Sequence, residues 1–285
     1  LQMNAQAAIS AMELYEAFGE TEYLSRGVSF ARILMACQAS AVDPSFSIPL
    51  RGYFYENETH ERIQTYYHRS YEHAPIKAFA MLYRLAPEHE DAARWKNSLE
   101  LYREYVALTS RTVPYGLLPN GIYELDNTDF STITHEGARA AGAPSLEEYN
   151  AQVRNGIRLN DRFYLRVFPV AYQFRGFHAT LMGRALAAME LARALNDREI
   201  KQVAVRQMEW ILGCNPFAVS SMYGEGHDYH PLYAPMSPQL VGAVPVGFET
   251  FENEDQPFYP MQNNATYKEV WVHTTCRMMW LIAML

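Results

Sequence analysis

Apolar residues recur at helical spacing along most of this chain. Ala5, Ala8, Ile9, Met12, Tyr15 and Phe18 fall at intervals of three and four, which predicts one apolar stripe on a helix over residues 4–18. Gly19 supplies a stop and Thr21 an N-cap, so a second helix is predicted to run to about Gln38. The same device recurs twice. Helices over 73–85 and 90–110 flank a turn at Ala86-Pro87-Glu88, and helices over 178–195 and 198–212 flank a turn at Asn196-Asp197. A last stripe of Tyr267, Val270, Trp271, Thr274, Met278, Leu281 and Leu285 predicts one helix over 265–285. Strand-like alternation is missing from the long segments, so the chain reads as all-α: three helix pairs and a final helix.

Three long connections interrupt this pattern, at 40–66, 112–176 and about 215–264. Connections of such length are uncommon in a compact domain unless they carry function. All three are aromatic and hold His and acidic residues, the first two hold Arg as well, and the second carries a short helix around Ser145–Asn155. Helix pairs in series, with loops gathered at one end, describe an α/α toroid. Six pairs close such a ring, and little more than three and a half are visible here. The expectation is therefore an incomplete (α/α)6 toroid, a single domain over 1–285 whose first helices lie outside the chain.

Composition narrows the partners. A 285-residue chain with 49% hydrophobic residues can bury a large core. The net charge of −8 and the absence of any Lys/Arg run argue against nucleic acid or an anionic membrane. No uncharged apolar stretch reaches the roughly 18 residues that a membrane span requires. Cys37, Cys214 and Cys276 are scattered without CxxC spacing, so neither a disulfide framework nor a zinc site is expected, and no cofactor is implied. The chain opens on Leu1-Gln2-Met3, already in helical pattern and without a signal peptide, which reads either as a removed N-terminus or as one piece of a longer protein.

Glu269 is the first candidate for chemistry. It lies off the last apolar stripe, and His273 at i+4 shares its predicted helix face. A carboxylate on a rigid helix beside aromatic loops is how an acid that protonates a glycosidic oxygen is held. The plainer reading is a surface Glu next to Lys268. Trp271 reads either as a stacking platform for a sugar ring or as core. His273 reads either as a partner of Glu269 or a sugar hydroxyl, or as a cap. Tyr67, His68 and Arg69, at the start of helix 73–85, suit contact with sugar hydroxyls, or else a capping segment with Glu72 at the helix dipole. Tyr223, His227 and Tyr229 share a loop with Gly224 and Gly226, which permit close backbone approach to a ligand, though ordinary loop packing would use them as well. His227 with His230, and His60 with Glu56 and Glu58, are loose metal pairings that the spacing does not favour. Arg162, Arg166 and Arg175 are expected to pair with buried acids rather than with an acidic sugar.

A motif appears at Gln207-Met208-Glu209-Trp210-Ile211-Leu212-Gly213-Cys214-Asn215-Pro216-Phe217. It resembles the helix end and "LGxNP" turn of glycoside hydrolase family 9, the inverting (α/α)6 endoglucanase family. Ser221–Gly226, His227–Pro231 and Leu240–Pro245 are then similar, in order, to that family's glycine-bearing segment, its substrate loop and its "LVGGP" turn. Asn264–His273 stands where the family has its catalytic-acid helix. The likeness is carried by residues 178–285; residues 1–175 share helix-pair organisation more than motifs.

The resemblance implies a toroid hydrolase of a β-linked glycan, with Glu269 as general acid. It also implies a base Asp from an N-terminal "DAGD" segment, and no Asp-x-Gly-Asp occurs in these residues. Lys268 replaces the usual Asn, His273 stands where "DYN" would begin, and no Arg adjoins His227 or His230. These departures describe a divergent branch, of which the chain is the C-terminal two thirds of the catalytic domain. Implied partners are an oligo- or polysaccharide and the N-terminal remainder of the same protein, which can include an Ig-like module. The implied location is secreted or periplasmic. Two rivals stand beside this reading. One is a toroid polysaccharide lyase using Tyr67, His68 and Tyr229; the other is a non-catalytic helical glycan-binding protein.

Overall fold

The computed structural model describes residues 1–66, 71–127, 145–170, 176–233, 239–250, 254–259 and 265–285. Its helices follow the predicted pairs closely. The first pair is α1 (Gln2–Phe18) with α2 (Thr21–Ala36), and the second is α3 (His73–Leu85) with α4 (Ala92–Thr112). A short α5 (Leu146–Arg154) precedes the third pair, α6 (His178–Leu195) with α7 (Arg198–Ile211). Gly19 ends α1 in the left-handed region at φ 72, with its N–H on the Tyr15 carbonyl. Glu20, rather than Thr21, holds the N-cap position of α2, and its side chain makes no capping bond. Asp197 does cap α7, accepting from the Glu199 and Ile200 amides at 2.9 and 3.1 Å.

The pairs stack into two layers. α1 packs on α3, and α3 on α6, while α2, α4 and α7 back them from outside. α1 and α3 run parallel, as the pairs Lys77–Glu13 at 3.1 Å and Arg84–Glu16 at 2.7 Å record in step. Short turns between the members of each pair therefore lie at one end, and the long connections all enter at the other. This is the fold of part of an (α/α)6 toroid.

Burial explains why α6 shows so weak a stripe. His178 to Met189 are buried almost without interruption, because α6 is covered by α3, α7 and α9 (Val272–Ala283) on different sides. Each buried Leu or Met there contributes roughly 1.5–3 kcal/mol, against about 1 kcal/mol at most for an exposed ion pair. Packing of this helix therefore dominates the surface charges. Phe18, by contrast, ends the α1 stripe 66% exposed, and Leu285 is 57% exposed. None of the described helices is long and apolar enough to cross a membrane.

Short strands occur inside the connections. β1 (Gly121–Glu124), β2 (Ile157–Arg158) and β3 (Phe163–Arg166) form an antiparallel sheet in the order β1-β3-β2, with Tyr123 opposite Tyr164. β4 (Glu249–Thr250) pairs with β5 (Pro257–Phe258). Strands of two to four residues are too short for alternation to register. α5 lies over the first sheet with a capping box between Ser145 and Glu148, burying Tyr149 and Val153 against Tyr123 and Tyr164.

The predicted helix over 265–285 is broken. A single turn, α8 (Ala265–Lys268), is followed by extended backbone at Trp271, φ −120 and ψ 142, before α9 begins. The cause is tertiary. The carbonyls of Tyr267, Lys268 and Glu269 accept from the amides of Gly247, Tyr233 and Val246 at 2.7, 3.1 and 2.9 Å, instead of from the next helical turn. Val270 forms a bridge with Pro245 at the same place.

Candidate functional site

The break sets the geometry around Glu269. In extended backbone, residues i and i+2 face the same side. Trp271 thus lies beside Glu269, and its indole Nε1 donates to Oε2 at 2.6 Å. Both residues are half-buried. The predicted face shared by Glu269 and His273 does not form, since no continuous helix joins them; His273 sits in the first turn of α9, half-buried. Lys268, next to Glu269, turns inward and is fully buried, and desolvation lowers its pKa from the usual lysine value.

The chain around Glu269 rests on a tight turn. Gly247 adopts φ +89 directly over the His178 ring, where a Cβ would come within 2.0 Å of it. His178 is fully buried. Its Nδ1 donates to the Pro245 carbonyl at 3.0 Å, and its Nε2 accepts from the Phe248 amide at 3.4 Å. Burial lowers this imidazole to about 4, so it stays neutral and fixes the turn. Thr274 in α9 adds a 2.5 Å bond to the Val244 carbonyl. Residues 243–248 thus form the strip on which the Glu269 segment is laid.

Tyr223 is bonded to the start of the same strip. Its amide donates to Ala243 at 3.0 Å, and its carbonyl accepts from Gly242 at 2.8 Å. Tyr223 meets Tyr229 edge-to-face, ring centroids 5.1 Å apart. Tyr229 is 40% exposed and His227 is exposed, so both are accessible to solvent. His230 is turned in against Tyr259 at 4.2 Å, and burial lowers its pKa. Tyr67, His68 and Arg69 lie outside the described residues.

Arg166 meets the expectation of a buried acid partner. Its guanidinium is 3.4 Å from Asp255, which also accepts the Val167 and Phe168 amides at 2.9 and 3.0 Å. This pair links the second long connection to the third. Arg162 pairs with Glu124. The His60 ring stacks on Tyr55 at 4.0 Å and its Nε2 lies 2.7 Å from the Ala36 carbonyl, which accounts for that histidine without a metal. Among the described residues no three His, Cys, Asp or Glu groups are placed to hold a metal ion.

Glu72, read from the sequence only as a helix-dipole residue of a capping segment, makes no side-chain capping bond and is turned into the interior. Glu72, 7% exposed at the N-cap of α3, accepts from the Tyr102 hydroxyl at 3.3 Å. Burial raises its carboxyl to about 8, against the pull of Arg184 and, through α9, Arg277. Arg184 is 1% exposed and donates to Asn120 Oδ1 at 2.8 Å. The available signal was an arginine in the middle of α6, where nearly every neighbour is apolar.

A search of solved structures finds the cellulase Cel9M of C. cellulolyticum, with a TM-score of 0.53 over 100% of this chain and 50% of that one. The same cellulase in complex with cellobiose gives 0.55 over 100% and 51%. Identity is 14% in both cases, so the likeness is one of fold. The chain spans about half the length of these relatives. No family model matches the sequence, and no curated protein matches it either.

Proposed function

We propose that this chain is the C-terminal part of the catalytic domain of an α/α-toroid glycoside hydrolase, a divergent relative of family 9, that cleaves a β-linked glycan by inversion. Glu269 is the general acid. The observation that carries the reading is the Trp271 indole on Glu269 Oε2 at 2.6 Å, at the end of the helices where the long connections gather. Trp271, His273, Tyr223, His227 and Tyr229 are the sugar contacts, joined by Tyr67, His68 and Arg69.

Inversion needs a second carboxylate about 6.5–9.5 Å from the acid to activate water. That base is an Asp from a segment outside these 285 residues. Oligosaccharides of the cellulose type are the first substrates to try, since the structural neighbour is a cellulase, and such an enzyme would act in a secreted or periplasmic setting. The test is Glu269→Gln in the full-length protein. Loss of a general acid should lower turnover of a natural glycan roughly 10²–10⁴-fold with the circular-dichroism spectrum unchanged. Undiminished turnover by a folded Glu269→Gln variant would refute the assignment. Binding without turnover by the parent protein would instead favour the non-catalytic rival.

A further inference from the structure

Tyr66 and Glu72 bracket one of the candidate substrate segments in sequence, and both side chains turn into the interior, 6% and 7% exposed. Glu72 Oε1 accepts from Tyr102, but Oε2 has no hydrogen-bond partner among the described residues, and neither has the Tyr66 hydroxyl. The two atoms are therefore not bonded to one another. Both residues line the same cavity of about 20 Å3, with Tyr102, Tyr105 and Asn120 around it. The Asn120 amide closes one wall, donating to the Tyr66 carbonyl at 3.4 Å and the Tyr123 hydroxyl at 2.6 Å.

Buried polar atoms in folded proteins are almost always paired, with protein or with ordered water. A water needs a cavity of roughly 10–15 Å3 and two or more polar partners. This cavity meets both conditions for one water and is far too small for a sugar ring. A cation does not suit it, because Arg184 lies behind Asn120 and Arg277 also acts on Glu72. We propose that the cavity is a structural water site, in which one buried water bridges the Tyr66 hydroxyl to Glu72 Oε2. Water both donates and accepts, so it serves Glu72 in either protonation state. The bridge fastens Tyr66 to Glu72 at the start of α3. The proposal stands apart from the role given to Glu269.

A high-resolution crystal structure of the full-length parent protein is the direct test. Ordered density within hydrogen-bond distance of both atoms is expected; a dry cavity, or a direct Tyr66–Glu72 bond, overturns the proposal. A double-mutant cycle gives an independent reading. Tyr66→Phe and Glu72→Leu each remove one anchor of the same water, so the double variant should lose little more stability than the worse single one. Fully additive losses in urea denaturation would overturn the shared water.

Discussion

The Trp271 indole Nε1 donates a 2.6 Å hydrogen bond to Oε2 of Glu269, two residues earlier in the chain. On a continuous helix these side chains would point about 200° apart, and the bond could not form. Trp271→Phe keeps an aromatic ring, though a smaller one, and deletes the donor. A hydrogen bond to a charged group contributes about 1.5–3 kcal/mol, so on the proposed role of Glu269 as general acid the variant should lose roughly 10–100-fold in kcat. Steady-state kinetics on the full-length protein, with thermal melting as control, checks this. An unchanged kcat would remove Trp271 from the positioning of Glu269.

Gly247 and Gly19 make opposite predictions for the same substitution. Both have positive φ, +89 and +72. A Cβ at Gly247 would strike the His178 ring, whereas nothing lies within 4 Å of one at Gly19. Gly19→Ala should cost about 1–2 kcal/mol, the left-handed penalty alone. Gly247→Ala should cost clearly more, because the buried imidazole must move and its two backbone bonds with it. Denaturant midpoints compare the two directly, and equal losses would contradict the packing argument.

Asp255 and Arg166 should be inseparable. Asp255→Ala leaves two backbone amides without their acceptor and removes the counter-charge of a buried guanidinium that keeps its bonds to the Gln152, Phe168 and Pro169 carbonyls, so the loss should reach at most about 3–5 kcal/mol, the cost of breaking a buried pair. Replacing both, by Asp255→Asn and Arg166→Met, should cost less than Asp255→Ala. Urea denaturation of the variants decides it. A double variant as unstable as the sum of its parts would show the pair to be uncoupled.

Stability should depend on pH through groups buried in their neutral forms. His73 and His178 fall to about 3 and about 4 on burial, from 6.5 in the unfolded chain. The unfolded state therefore binds more protons below pH 6.5, and the stability these histidines allow is fully present above 6.5 and lost as pH falls toward 3. Glu72 acts in reverse. Its carboxyl is raised to about 8 from 4.5, so the folded state holds a proton that the unfolded chain releases above pH 4.5. Its contribution is fully present below about 4.5 and declines as pH rises to 8. Glu72→Gln should therefore flatten the alkaline decline between pH 5 and 8 while leaving the acid limb unchanged. Parallel curves for parent and variant would show that Glu72 keeps an ordinary pKa.

Much of this molecule was legible from its apolar spacing. The helix pairs, the stop at Gly19 and the turn at Asn196-Asp197 all rest on contacts within one or two helical turns, which a sequence pattern encodes directly. Arg166 could likewise be assigned a buried acid, although not which one, since Asp255 lies far along the chain and only folding brings it near. The strands in the second and third connections were hidden because each is held by a distant partner and is too short to alternate.

Residues 265–285 mark the boundary between the two kinds of information. Their periodicity determined an amphipathic helix, and α9 realises it from Val272 onward. Whether Glu269 belonged to that helix was decided elsewhere, by the amides of Tyr233, Val246 and Gly247, which take the carbonyls an α-helix would have used. Local propensity is worth tenths of a kcal/mol per residue, so three well-placed tertiary hydrogen bonds are enough to override it. The sequence determined which residue bears the carboxylate; the packed loops decided that it stands on extended backbone, beside Trp271 rather than facing His273.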